Sequence, residues 1–306
     1  MPTTLVPART VMDSLGVCGV PSNPEQWGYF FAYTHLRWLR GNYVVTPTYD
    51  PSKLAGINTG LVANNVRSPR VRVQHLVMAY LNNIAVTAAV NRDLLLRFKA
   101  DNLLDAIEGP NEIQNPYVGN GSHGPADTRN RCDPAYGGGG DGTHAANTLE
   151  WSQWMRDLRA NNASLAGVPL VAPSWAVAPG GAAKAGAFYF QDYPNLSGVL
   201  TGPNDQGCIH FYAGGGHQPN LGYTAGSIGN QNGNFHNTQL QLANAVKLPL
   251  NMSEFGASTD GVTYARDGNS QAKYLLNQLF DFLVAGGKRA FIYNFMDGNG
   301  AQIGRA

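Results

Sequence analysis

Short apolar runs recur along the whole chain, separated by turn residues and by longer stretches of helical spacing. The runs are too short for helices and are bounded by Gly, Pro, Asn or Asp, as buried strands commonly are. They predict eight strands, in the segments 11–20, 38–41, 71–80, 103–107, 168–177, 207–214, 248–252 and 289–296. Apolar residues at helical spacing predict helices in the segments 27–36, 84–100, 147–161, 182–190, 238–246 and 271–284.

This alternation predicts an α/β fold with parallel strands, and eight such units form a TIM (β/α)8 barrel. A barrel of this kind commonly has about 250 residues in one domain. We therefore expect residues 1–306 to form a single domain. The chain stops soon after the eighth predicted strand, so the usual last helix is expected to be absent, either from a shortened barrel or from a piece of a longer polypeptide.

Composition narrows the class of partner. The net charge is +1, charged residues are 13% and no run of Lys or Arg stands out, so neither nucleic acid nor an anionic membrane is expected as a partner. No apolar run reaches the length of about 20 residues that a membrane span needs. Gly is abundant and the segment 114–145 is a long polar loop, which we interpret as a wall or lid of a substrate cleft. These features favour a neutral polyol such as a sugar.

The cysteines and the first residues leave the compartment open. Cys18, Cys132 and Cys208 allow at most one internal disulfide and leave one thiol over. The first ten residues lack a basic region followed by an apolar one, so no signal peptide is visible. The protein is expected either to be intracellular or to be secreted, with the numbered chain beginning after processing. The sequence does not indicate an oligomeric state.

Two glutamates follow predicted strands and carry the candidate chemistry. Glu112 comes after the strand 103–107 and a Gly-Pro turn, next to Asn111, and Glu254 follows a strand far downstream. The loops after the strands of a barrel build its open face, where catalytic groups gather. We therefore expect the two carboxyls to face each other across one cleft.

The two motifs resemble those of the retaining glycoside hydrolases of clan A. Asn111-Glu112 after one strand and Ser253-Glu254-Phe255-Gly256 after a strand three units later carry the likeness, and the order of strands extends it over nearly the whole chain. The resemblance implies a retaining β-glycosidase with Glu112 as acid/base and Glu254 as nucleophile. Such enzymes hold the two carboxyls about 5 to 5.5 Å apart. Clan members frequently carry a tryptophan after strand eight, where this chain has Phe295 and Asp297, so no subfamily is assigned.

The resemblance also implies residues that serve the two carboxyls. Arg40, near the end of strand two, matches an arginine that hydrogen-bonds the nucleophile, with Arg37 as the alternative and a surface arginine at a helix end as the competing interpretation. Asn111 is expected to bind the sugar 2-hydroxyl. Like-charge repulsion from Glu108 and Glu254 is expected to keep a proton on Glu112.

Aromatic and histidine side chains complete the expected cleft. His210 and Tyr212 lie two residues apart on strand six and so share a face. The resemblance implies that they touch the nucleophile or the sugar. Trp175, at the end of strand five, is expected either to form a sugar platform or to pack in the core. His75, on strand three, is a core residue or a site residue.

Other chemistries lack their signatures. The chain has no G-x-S-x-G elbow, no P-loop, no H-E-x-x-H and no paired C-x-x-C, so neither a cofactor nor a metal is expected. Two alternatives stay open: a carbohydrate-binding barrel without catalysis, and a metal-dependent barrel hydrolase that uses His210, His217 and Asp205. The sequence does not specify the sugar, the linkage, or endo or exo action.

Overall fold

The protein is a parallel barrel with helices packed outside it. A computed structural model describes residues 7–19, 30–31, 33–41, 72–77, 84–109, 143–172, 176–177, 204–211, 249–256, 268–284 and 286–293. Its strands are β1 (Leu15–Cys18), β2 (Trp38–Gly41), β3 (Arg72–Leu76), β4 (Leu104–Glu108), β5 (Leu170–Val171), β6 (Ala176–Val177), β7 (Gly207–Phe211), β8 (Leu250–Phe255) and β9 (Arg289–Ile292). All pair in parallel in one sheet, in the order β5-β4-β3-β2-β1-β9-β8-β7-β6.

The two ends of this sheet meet at the fifth strand position. β5 pairs with β4 and β6 pairs with β7, and only a few residues of chain separate β5 from β6. A parallel bridge joins Val171 to Gln206, and the Ala172 N–H donates to the Gln206 carbonyl at 2.7 Å. The eight strand positions therefore form a nearly closed (β/α)8 barrel, and the predicted fold is confirmed.

Besides the helical residues 30–31 and 33–34, four α-helices lie among the described residues: α1 (Ala8–Ser14), α2 (Ile84–Ala100), α3 (Thr143–Ala160) and α4 (Gly268–Val284). A short 3-10 helix, Ala163–Leu165, follows α3. Helix α2 has the bounds that its apolar spacing predicts. It carries Arg97 and Lys99 in its last turn, where cations are favoured by the helix dipole. Asn102 then takes a left-handed φ of 57°, which turns the chain directly into β4.

Two apolar clusters attach the helices to the barrel. One joins strands β2, β3 and β4 to α2 and α3, and its fully buried members include Leu39, Val73, Leu95, Phe98 and Ile107. The other joins β8 and β9 to α4 through Met252, Phe255, Leu279, Phe282 and Ala290. Burying a side chain of this size contributes roughly 1.5 to 3 kcal/mol. The clusters hold the strand ends, and thus the site, in fixed positions.

Two predicted boundaries are wrong. The segment 11–14, predicted as strand, is the second half of α1, and β1 begins only at Leu15. Val11 is apolar because it packs against the cluster of β8, β9 and α4, so its hydrophobicity belongs to a helix face. Helix α3 begins at Thr143, inside the predicted loop 114–145, because Ala145 and Ala146 are strong helix formers.

Helix α4 begins at Gly268, three residues before the predicted segment 271–284. The predicted strand 168–177 is divided into the two short strands β5 and β6. Residues 30–31 and 33–34 of the predicted first helix are helical, while the predicted helices 182–190 and 238–246 are outside the described part. Strand β8 continues to Phe255, so Glu254 lies within a strand rather than after it. Within the described ranges, no helix combines the length and the apolar character that crossing a bilayer requires.

Candidate active site

Polar side chains from several strands meet inside the barrel at the carboxyl ends of the strands. The buried members are Arg40, Gln74, Glu108, Cys208, Ser253 and Glu254. Cys18 and Gln74 are the register partners of Arg40 on the two neighbouring strands. Beneath this network, Trp38 and Phe291 pack edge to face, with ring centroids 6.5 Å apart. The Arg289 guanidinium lies over the Trp38 ring on this side of the network, with Cζ 4.3 Å from the ring centroid.

Arg40 lies between two carboxylates. Its Nε and Nη2 donate to Oε2 and Oε1 of Glu108, each at 2.8 Å. Its Nη1 donates to Oε1 of Glu254 at 2.6 Å. Burial by itself lowers the pKa of the Arg40 guanidinium, but the charges of Glu108 and Glu254 outweigh burial and hold that pKa well above its ordinary value. Arg40 is thus a permanent cation that serves both carboxylates.

Glu254 reaches the barrel interior because β8 is irregular. Both neighbouring strands shift register here, β7 between Ile209 and His210 and β9 opposite residues 252–255. Regular alternation would put Ser253 and Glu254 on opposite faces. Instead Ser253 Oγ lies 2.8 Å from Cys208 Sγ while Glu254 contacts Arg40, so two consecutive side chains face inward, as at a β-bulge.

The two carboxylates of the network differ in access. The side chain of Glu108 is 0% exposed, while that of Glu254 is 10% exposed. A reacting molecule that enters the open end of the barrel therefore has access to the Glu254 carboxylate and none to that of Glu108.

Two thiols lie beside the carboxylates. Cys18 Sγ donates to the Ser253 carbonyl at 3.1 Å, and Cys208 Sγ lies 2.8 Å from Ser253 Oγ and 3.5 Å from Glu108 Oε1. Burial is the main cause that raises the pKa of both thiols. Both cysteines are free, so neither contributes to the single disulfide that the sequence allowed.

The structure brings together two of the residues predicted for the site. Arg40 makes the predicted contact with Glu254, whereas the alternative, Arg37, pairs with Asp13. His210 is in β7, in register with Glu254. Glu112, Asn111, Tyr212 and Trp175 lie outside the described residues, so their places and the distance between the two predicted catalytic carboxyls stay predictions.

His75 is a core residue. Its Nε2 lies 3.2 Å from Asn91 Oδ1, and its ring packs 5.8 Å from the ring of Phe98, both in α2. Burial lowers the pKa of His75 to about 4, although the hydrogen bond to Asn91 and the charge of Glu108 act in the other direction. His75 is therefore a neutral imidazole that joins β3 to α2.

Sequence reasoning missed the part that Glu108 and Gln74 take in the site. It treated Glu108 as a charge near Glu112, while the structure shows it bound to Arg40, Gln74 and Cys208. A signal was present, because Ala106 and Glu108 alternate with the outward Ile107 on a buried strand. A carboxylate on the inner face of such a strand requires a partner within the barrel.

Within the described part of the chain, no cluster of three or more His, Cys, Asp and Glu side chains is arranged to hold an ion. Asp205, which the metal alternative would use, pairs with Arg159 and accepts the Leu170 N–H at 2.8 Å. Its carboxylate thus accepts a hydrogen bond from the first residue of β5.

Comparisons with known proteins identify the fold. No protein-family model matches the chain, and no curated protein sequence does. Among solved structures, the AHE enzyme of Alicyclobacillus herbarius matches with a TM-score of 0.55 and 14% identity, over 90% of this chain and 77% of that one. An active-site mutant of the Rhizomucor miehei β-1,3-glucanosyltransferase, in complex with laminaritriose, gives 0.52 and 11% over 97% of each chain. A family 5 xyloglucanase of Paenibacillus pabuli gives 0.51 and 12% over 96% and 93%. At identities this low the likeness shows the fold alone, a (β/α)8 barrel.

Proposed function

We propose that the protein is a retaining β-glycoside hydrolase that cleaves a neutral oligo- or polysaccharide by double displacement. The observation that carries this proposal is the 2.6 Å hydrogen bond from Arg40 Nη1 to Glu254 Oε1. It supplies an ionised carboxylate, oriented by a buried cation, at the open end of a barrel. A glycosidase nucleophile needs this charge state and this location.

Glu254 acts as the nucleophile in the first displacement. One of its carboxylate oxygens forms a bond to the anomeric carbon as the glycosidic C–O bond breaks, and Glu112 gives its proton to the leaving oxygen. In the second displacement, Glu112 takes a proton from a water, whose oxygen attacks the anomeric carbon. The ester bond to Glu254 breaks, and both carboxyls return to their starting states.

The remaining predicted residues bind the sugar in this proposal. Asn111 holds the 2-hydroxyl, a contact that strengthens in the transition state, and Tyr212 or His210 contacts the sugar or Glu254. Trp175 forms a platform for a sugar ring. The near-zero net charge of the chain favours an uncharged glycan. Two proteins of the same fold carry the names of a xyloglucanase and a β-1,3-glucanosyltransferase, which is consistent with a glycan substrate.

Mechanism-based labelling tests the proposal. A panel of 2,4-dinitrophenyl 2-deoxy-2-fluoro-β-glycosides is incubated with the protein, and the digested protein is mapped by mass spectrometry. The expected result is one fluoro-sugar adduct on Glu254, a burst of dinitrophenolate, and neither in the Glu254→Gln variant. Absence of any adduct or turnover across the panel, with binding of oligosaccharides retained, would favour the non-catalytic barrel. Turnover that chelator abolishes would favour the metal-dependent hydrolase.

A further inference from the structure

Glu108 is the most enclosed carboxylate of the network, yet the double displacement gives it no role. Its side chain is 0% exposed, whereas that of Glu254 is 10% exposed. A buried carboxylate costs several kcal/mol of desolvation unless it is paired and hydrogen-bonded. A carboxylate in this position is therefore expected to be held by buried donors.

The contacts of Glu108 fix it from three strands. Oε1 accepts from Arg40 Nη2 at 2.8 Å and from Cys208 Sγ at 3.5 Å. Oε2 accepts from Arg40 Nε at 2.8 Å and from Gln74 Nε2 at 2.8 Å. Donors on β2, β3 and β7 thus hold both oxygens, and the carboxylate plane is set by the barrel itself.

This anchored carboxylate determines where the guanidinium of Arg40 points. A guanidinium is planar, and two parallel hydrogen bonds along its Nε–Nη2 edge fix that plane and its rotation. With that edge on Glu108, Nη1 is the nitrogen directed at Glu254. The neutral thiols of Cys18 and Cys208 border the ion group without adding charge.

We propose that Glu108 is a positioning residue, which orients Arg40 so that Nη1 holds the carboxylate of Glu254 in line for attack. The inference rests on the proposed function, in which Glu254 is the nucleophile. It assigns to Glu108 an effect on the rate of the chemical step, and none on the binding of the sugar, because Glu108 is sealed from the cleft.

The test compares Glu108→Gln, Arg40→Lys and the double variant with the 2,4-dinitrophenyl β-glycoside that the wild type turns over fastest. Glu108→Gln keeps the shape but offers one acceptor oxygen instead of two, so Arg40 loses its paired bonds. We expect kcat to fall by about 10- to 100-fold, the effect of a small misplacement of a reacting group, with KM within about twofold. The Arg40→Lys variant already lacks the two parallel hydrogen bonds to Glu108. In that background we expect Glu108→Gln to lower kcat by less than about threefold.

Two further variants separate positioning from folding. Gln74→Met removes a donor to Glu108 while keeping both charges, and we expect a smaller loss of kcat, with KM unchanged. It decides the question should Glu108→Gln fail to fold. Leu158→Ala, in the cluster outside the barrel, lowers stability without touching the network and is expected to keep the wild-type kcat.

The outcomes distinguish the inference from the proposed function. A wild type that is labelled on Glu254, together with a folded Glu108→Gln variant whose kcat stays within twofold, overturns the inference alone. Fully additive losses in the double variant also overturn it, because they show that Glu108 does not act through Arg40. A wild type with neither turnover nor label overturns both.

Discussion

The guanidinium Nη1 of Arg40 lies 2.6 Å from Oε1 of Glu254, although 214 positions of chain separate the two residues. Arg40 is on β2 and Glu254 on β8, with β1 and β9 between them in the sheet. Only side chains that project into the barrel interior can meet in this way. The contact therefore depends on closure of the barrel and on the bulge at Ser253.

Replacing Glu254 tests its role as nucleophile. Glu254→Gln keeps an acceptor oxygen for Arg40 but removes the charged oxygen that attacks the anomeric carbon. We expect kcat to fall at least about 1,000-fold, since removal of a nucleophile has effects of this order or larger. Initial rates on the activated aryl glycoside measure the effect, and the thermal midpoint is expected to stay near that of the wild type.

Small anions provide the control for this substitution. Glu254→Gly opens space beneath the anomeric carbon, and added azide is expected to restore turnover of an activated substrate with formation of the α-glycosyl azide. Restoration with the β-azide instead would mean that Glu254 acts as the acid/base, contrary to the assignment.

Removing the charge of Arg40 is expected to destabilise the fold. Arg40→Leu leaves two buried carboxylates facing each other without a cation, and breaking a buried ion pair in this way costs about 3 to 5 kcal/mol. Arg40→Lys keeps the charge and is expected to lose less. Urea denaturation at pH 7 measures both.

Measuring the stability of Arg40→Leu at two pH values separates the loss of the positive charge from the loss of side-chain packing. Protonation of the carboxyls removes their repulsion, so the deficit of Arg40→Leu relative to the wild type is expected to be smaller at pH 5 than at pH 7. A deficit that is the same at both pH values would assign it to the packing of the arginine side chain.

Much of the barrel could be predicted from local sequence pattern. β2 and α2 have the predicted bounds: one is a four-residue segment between the predicted first helix and Asn42, and the other has helical spacing with cations at its end. The link between Arg40 and Glu254 was also predicted, but from the resemblance to clan A, which implies an arginine that hydrogen-bonds the nucleophile, and not from the local pattern.

The details of the site depend on tertiary structure that local pattern does not contain. Glu254 faces inward because the register of β8 shifts against both β7 and β9. Simple alternation along β8 would place Ser253 and Glu254 on opposite faces. The pairing of Glu108 with Arg40 joins residues 68 positions apart. Val11 packs against apolar residues of β8, β9 and α4, which are distant in the sequence, so its place on a helix face does not show in the local pattern.

A side chain at Gly16 is expected to destabilise the fold. A Cβ at this position would lie 2.6 Å from Trp38 Cβ and 2.7 Å from Phe291 Cδ1, and Trp38 Cβ is fixed by the backbone of β2. Overpacking a core in this way typically costs about 1 to 3 kcal/mol. We expect Gly16→Ala to lower the unfolding free energy by that amount.

A double variant identifies the cause of that loss. Phe291→Leu withdraws the ring from the crowded position, so Gly16→Ala is expected to cost less in the Phe291→Leu background than alone, as measured by urea midpoints. Equal costs in the two backgrounds would mean that the aromatic ring is not what the new methyl group meets.

The lowered pKa of the His75 side chain is expected to make the fold less stable in acid. Burial lowers its pKa from 6.5 to about 4, so between those values the unfolded chain binds a proton that the folded protein does not. Stability therefore rises with pH in this window: the contribution of His75 is complete above about pH 6.5 and is lost as the pH falls toward 4. With about 1.4 kcal/mol for each pKa unit, the full effect is on the order of 3 kcal/mol.

His75→Gln isolates this effect from the titration of the carboxylates. The glutamine amide still donates to Asn91 Oδ1 but takes up no proton, so the variant keeps the contact with α2 and loses the titration. Between pH 7 and pH 4.5 we expect the unfolding free energy of the wild type to fall by about 2 kcal/mol more than that of the variant. Parallel pH profiles of the two proteins, from urea denaturation, would show that His75 becomes protonated inside the fold without cost. That result would contradict its assignment as a neutral core imidazole.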